Sequence, residues 1–148
     1  MPFSTTDANA ILNWMMGGST LAVKSDVYMG LLTNDPEADE GSCTEIAEGF
    51  DTYERVLIST GSPDNYPYLM GAASEREIKN KAQINWTKAK DQQWPEVKGI
   101  ALYTSKTGGT PFYYAKITNP FTVDPGEVAL FEAEAFKISM LTTDTAIN

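Results

Sequence analysis

The stretch VKGIALYTSKTGGTPFYYAKI, Val97–Ile117, sets a Gly-Gly pair between two runs rich in β-branched and aromatic residues. Two readings compete, a phosphate-binding loop and the turn of a hairpin. A phosphate loop needs the Walker order, in which glycine is followed by Lys-Ser/Thr at the mouth of a helix. Here Gly108-Gly109 is followed by Thr110-Pro111 and then by FYYAKI. SKTGGTP supplies residues that tolerate positive φ between two strand candidates, Val97–Thr104 and Phe112–Ile117. The stretch therefore predicts a β-hairpin.

Working outward from it, VYMGLLT (Val27–Thr33), TYERVLIST (Thr52–Thr60) and AQINWTKA (Ala82–Ala89) read as strands; in the last, Ile84 and Trp86 alternate with polar neighbours. Downstream come FTV (Phe121–Val123), a tight turn at DPGE (Asp124–Glu127), and VALFEAEAFKISM (Val128–Met140), which is one bent strand or two with a break near Glu134. Pro36 and Gly41 mark NDPEADEGSCTEIAEGF as a loop, and Pro63, Pro67 and Gly71 mark an irregular excursion over about 61–82. At the front, TTDANAILNWMMGG predicts a short helix over about 6–16. Thr5 or Thr6 caps it, Asp7 suits the positive end of its dipole and Gly17-Gly18 stops it. Ile11, Leu12, Met15 and Met16 lie at helical spacing, with Trp14 on an adjoining face. A helix this short needs a surface to pack on, and the expectation is the chain's own core rather than a neighbouring protein. Together these elements predict one domain over 1–148: mainly β, an antiparallel β-sandwich, jelly-roll-like, with one short N-terminal helix.

The composition narrows function. With 20 acidic against 11 basic side chains the net charge is -9, a field that repels phosphate backbones, so no nucleic-acid partner is expected. No segment has the roughly 18 consecutive apolar residues of a membrane helix, and MPFSTTDANA lacks the order of a signal peptide. A soluble chain made in the cytoplasm, with no membrane partner, is the expectation. The chain has no histidine, which removes imidazole acid/base chemistry, Ser-His and Cys-His pairs and His-ligated metals together. Its one cysteine, Cys43, cannot form an internal disulfide and reads as a small buried or semi-exposed side chain.

Three constellations invite chemistry. Between Lys24 and Arg55 there is no other basic residue, and the loop Asp35-Pro36-Glu37-Ala38-Asp39-Glu40-Gly41 alternates acids as calcium loops do. Its glycine stands one place late, Pro36 interrupts the ligand run, and Ile46 occupies the position of the bidentate Glu; a solvated loop is the simpler reading. Glu132 and Glu134 would share one face of a strand and offer the carboxylate pair of a glycosidase, although alternating acids in a terminal strand more often form its wet face. Trp86, Trp94, Tyr103, Phe112, Tyr113 and Tyr114 could stack on sugars, but core and cross-strand packing explain them more simply. No residue is assigned a catalytic, metal-binding or cofactor-binding role.

Taken in order, the pieces resemble a family of small tailed-phage virion proteins described as tail fibre or capsid auxiliary (decoration) proteins. The resemblance rests on the short helix, Val27-Tyr28-Met29-Gly30-Leu31-Leu32-Thr33 followed by Pro36, the acidic glycine-containing loop, and Tyr53-Glu54-Arg55-Val56. It continues through Ile84–Trp86 with Trp94, the Gly99–Tyr103 hairpin with Gly108-Gly109, and Val123, Gly126 and Glu127 before the last strands. It implies a non-enzymatic virion protein.

The first expectation is a capsid decoration protein that binds the major capsid protein on the outer shell and reinforces capsomer contacts. The alternative is a tail or tail-fibre component bound to tail proteins, with possible self-association; a third, from another class, is a carbohydrate-binding module or glycosidase. The expected contact elements are Met1–Gly18, Gly61–Ala82 and Leu141–Asn148. Arg55 is expected to form a partly buried bidentate pair with a carboxylate such as Asp51 or Glu127.

Overall fold

The computed structural model describes residues 3–21, 24–39, 41–60 and 69–139. The glycine stretch is the hairpin its chemistry predicts. Strands β5 (Trp94–Tyr103) and β6 (Tyr113–Val123) pair antiparallel, with Leu102 opposite Tyr113 nearest the turn. Gly108 and Gly109 adopt φ of 65° and 74°, a region that β-carbons disfavour. FTV is not a separate strand; it is the far end of β6. Pro120 is tolerated inside β6 because that strand lies at the edge of the sheet, where a missing N–H breaks no ladder.

Strands β1 (Asp26–Leu32) and β2 (Val56–Thr60) complete a four-stranded antiparallel sheet in the order β2-β1-β5-β6. The register sets Met29 opposite Leu102 and Gly30 opposite Ala101. Met29, Leu31, Ile58, Trp94, Val97, Ile100 and Leu102 face the main core. The other face of the sheet centre is also covered. Leu32, Ala101 and Tyr103 are buried there, packed with half-buried Cys43 and Tyr114. Coverage on both faces explains why the end of β5 reads as a continuous apolar run rather than an alternation.

The layer over the main core is built from two antiparallel ribbons, β3 (Glu77–Lys79) with β8 (Lys137–Ser139) and β4 (Ile84–Asn85) with β7 (Leu130–Phe131). A jelly roll has a second four-stranded sheet at this place; the mainly β, antiparallel sandwich with one helix is otherwise the expected class. The terminal stretch breaks into β7 and β8 at Glu134, whose φ is 68°. Asn80, wholly buried, ties the ribbons together. Its amide nitrogen donates to the carbonyls of Ala82 (2.9 Å) and Glu132 (2.8 Å), and its Oδ1 accepts from the N–H of Phe136 (2.9 Å).

The excursion and the helix depart from expectation. Within 61–82, residues 61–68 lie outside the described residues, but 69–82 are woven into the fold: Met70 is buried and β3 belongs to a ribbon. Helix α1 (Thr5–Met15) is capped by Ser4, one residue before the expected Thr5, with Oγ accepting from the N–H of Asp7 at 3.2 Å. No side chain of α1 is buried. Leu12, Trp14, Met15 and the following Met16 are 58%, 52%, 63% and 87% exposed, so the helix does not pack on the core as expected.

Candidate functional site

The densest polar arrangement surrounds Arg55, at the entry to β2. Its Nε donates to Glu45 Oε1 (3.0 Å) and its Nη2 to Oε2 (2.7 Å), the two-pronged geometry in which a guanidinium matches a carboxylate. The partner is Glu45, not Asp51 or Glu127. Nη1 donates to the carbonyls of Ser105 (2.9 Å) and Gly108 (2.8 Å), and the guanidinium carbon lies 3.4 Å from the centroid of the Tyr103 ring. Arg55 therefore grips the glycine turn from beneath. Tyr53 donates its hydroxyl to Glu45 Oε1 (2.6 Å) and accepts the N–H of Leu31 (2.9 Å). Burial, together with the hydrogen bond to Glu45, pushes the Tyr53 phenol well above its ordinary range. Despite the opposing cost of burial, Glu45 leaves the Arg55 guanidinium still more basic than usual.

Asp35, Glu48 and Asp51 of the loop over 35–51 serve as acceptors for the chain's own donors. Asp35 Oδ1 takes the N–H groups of Glu37 and Ala38, and Glu48 Oε1 takes the N–H of Gly108 (2.8 Å). Asp51 takes those of Lys90 (2.7 Å) and Asp91 (2.9 Å), along with Trp94 Nε1. The bond from Asp91, followed by that from Lys90, holds the Asp51 carboxyl below its usual pKa. Among the described residues no group of three or more His, Cys, Asp or Glu side chains is arranged to hold a metal ion.

The other sequence candidates disperse. Trp86, Trp94, Tyr103 and Tyr113 are buried in the core and offer no stacking face to a sugar. Trp86 packs edge-on to Phe131 at 5.7 Å, and Trp94 on Tyr53 at 5.5 Å. Half-buried Phe112 lies under the Lys24 ammonium. Glu132 and Glu134 do not share a strand face; both fall in the bend between β7 and β8. Glu132 accepts from Gln83 Nε2 (3.0 Å), and Glu134 pairs with Lys79 (3.0 Å). Cys43 is half-buried, and burial raises its thiol pKa.

Two further features of the described surface bear on function. One is the uncovered apolar side of α1. The other is an open groove of about 540 Å³ beside β2, whose lining includes Tyr28, Glu54, Leu57, Gln83, Asn85 and Lys106. No helix among the described residues is long and apolar enough to cross a membrane. A family model described as podophage GP4 fiber I protein gp80 matches residues 2–139. The chain belongs to this family. No curated protein matches it. As a member of the fiber I protein family the chain is a phage fibre structural protein, a component of the virion that binds other virion proteins. The match begins at residue 2 and so takes in α1, Ser4 and the Phe3 ring, which packs edge-on to Tyr113 at 5.2 Å.

Sequence reasoning missed Glu45 as the partner of Arg55 and Asn80 as a tie between ribbons. The one available signal for Glu45 was the "Y-x-R" pattern just ahead of β2, since Tyr53 and Arg55, two residues apart, converge on one carboxylate. Nothing in the polar run around Asn80 distinguishes it from its neighbours.

Proposed function

We propose that this chain is a non-enzymatic, single-domain subunit of the phage's fibre assembly, joined to a neighbouring virion protein through helix α1. The observation that carries the reading is the helix itself. Leu12, Trp14, Met15 and Met16 face solvent while the β core is closed without them. Covering each such side chain is worth about 1.5–3 kcal/mol before ordering costs. Several copies on one particle convert such modest contacts into permanent attachment. The family's description as a fibre protein favours this place over capsid decoration, the first expectation from sequence. The absence of histidine and the commitment of Arg55, Glu45, Glu132 and Glu134 to internal partners support a structural rather than catalytic role.

The test is quantitative mass spectrometry of intact particles carrying either the natural chain or a Leu12→Ser, Met15→Ser double variant. The expected result is a copy number well below that of the major shell protein, with the variant folded but missing from particles. A near-stoichiometric ratio to the shell protein would return the chain to the capsid surface, and full incorporation of the variant would remove α1 as the attachment element.

A further inference from the structure

The groove beside β2 has a chemistry of its own. Along the segment that contains β4, Ile84 and Trp86 turn into the core, 0% and 3% exposed. The two-residue repeat of extended chain therefore turns Gln83, Asn85 and Thr87 outward as a row, and all three line the groove. Two amides and a hydroxyl thus face the opening at regular spacing. Gln83 Nε2 is held by Glu132 Oε2 at 3.0 Å, which orients that amide and leaves its carbonyl oxygen for a donor from outside. The apolar part of the lining comes from Val56, Leu57, Leu69 and the half-buried Tyr28 ring.

The charges in the groove cancel internally. Glu54 pairs with Lys106 at 3.2 Å, and the Arg55 guanidinium is engaged by Glu45 and two backbone carbonyls. An anionic ligand would find no cation free of a partner among these lining groups, and would approach a chain of net charge -9. A purely apolar ligand would leave two amides and a hydroxyl facing hydrocarbon without partners. A cationic ligand would find the one carboxylate of the lining, Glu54, already paired with Lys106. The class that these groups fit is uncharged and amphipathic, with hydroxyls around its edge and C–H groups on its faces. We propose that this groove binds a neutral oligosaccharide, with Gln83, Asn85 and Thr87 hydrogen-bonding ring hydroxyls and Tyr28 contacting a sugar face. Its volume falls within the range of small-ligand sites, about 300–1,000 Å³. These residues are distinct from the buried aromatic cluster, and the inference holds whichever virion protein α1 contacts.

The experiment screens the full chain against immobilised neutral oligosaccharides of glucose, galactose, mannose and N-acetylhexosamines, together with sialylated and sulfated controls. Hits are then titrated in solution while the side-chain amide signals of Gln83 and Asn85 are followed by NMR. The expected result is binding to at least one neutral series, movement of those amide signals, and affinity about fivefold to tenfold weaker in Asn85→Ala and in Thr87→Ala. Both positions are exposed, so both variants should keep the melting temperature of the natural chain. An Asn119→Ala control, altered outside this groove, should bind as the natural chain does. Binding to the acidic series only, binding unchanged in both variants, or no binding to any neutral series at millimolar sugar would each overturn the assignment.

Discussion

Glu45 and Arg55 form a two-pronged ion pair whose side chains are only 13% and 4% exposed, closed at 2.7 Å between Nη2 and Oε2. The pair joins the acidic loop, the entry to β2, and the turn between β5 and β6, distant in sequence, that Arg55 holds through Ser105 and Gly108. Removing one member leaves the other charged and buried. Arg55→Leu is expected to cost about 3–5 kcal/mol, measured by chemical denaturation. Adding Glu45→Gln to that variant should cost much less than the sum of the single changes. Additive losses would show that the two residues act independently.

Tyr53 gives the pair a dependence on alkaline pH. Its phenol is raised by burial and by the hydrogen bond to Glu45, whereas in the unfolded chain it ionises near its ordinary value of about 10. Above that pH the unfolded state loses a proton that the folded state keeps. Stability should therefore be fully present below about pH 9.5 and fall above pH 10, by about 1.4 kcal/mol per pH unit for this group. Tyr103, also raised by burial, adds to the same fall. In Tyr53→Phe the alkaline slope should be shallower by one proton, read from denaturation curves between pH 9 and 11.

Gly30 makes room for the pair. A β-carbon there would meet Glu45 Oε1 at 2.6 Å, Glu45 Cδ at 3.0 Å and Tyr103 Cε2 at 3.1 Å. Gly30→Ala is expected to destabilise by about 1–3 kcal/mol through displacement of the carboxylate. The loss should shrink when the same change is made in Glu45→Ala, which removes the side chain that would be struck.

Asn80→Ala would leave the N–H of Phe136 and the carbonyl of Ala82 without their partner inside the molecule, and the carbonyl of Glu132 with the N–H of Ala135 alone. A loss of about 2–4 kcal/mol is expected. Hydrogen exchange should locate it: amides of β3 and β8 should exchange faster while those of β1 and β5 keep their relative protection. Uniform loss of protection would show that the ribbons and the sheet unfold as one unit.

What could be read in the sequence is what local chemistry imposes within a few residues. Gly108-Gly109 and Asp124–Glu127 dictate turns, Pro36 and Gly41 a loop, Glu134 lies at the predicted break, and two-residue alternation at Ile84 and Trp86 places one face of an extended segment inward. The strand runs, the antiparallel class and the single helix followed from these. Tertiary structure alone decided which elements meet. Glu45, Asp51 and Glu127 are equivalent as prospective partners of Arg55; the path of the acidic loop across the space left by Gly30 brings the first to it, while Asp51 is drawn to the backbone of Lys90 and Asp91. Likewise the apolar positions of α1 predict burial but not against what. On this chain the core closes without them, so the same pattern that would build a core helix leaves an exposed one.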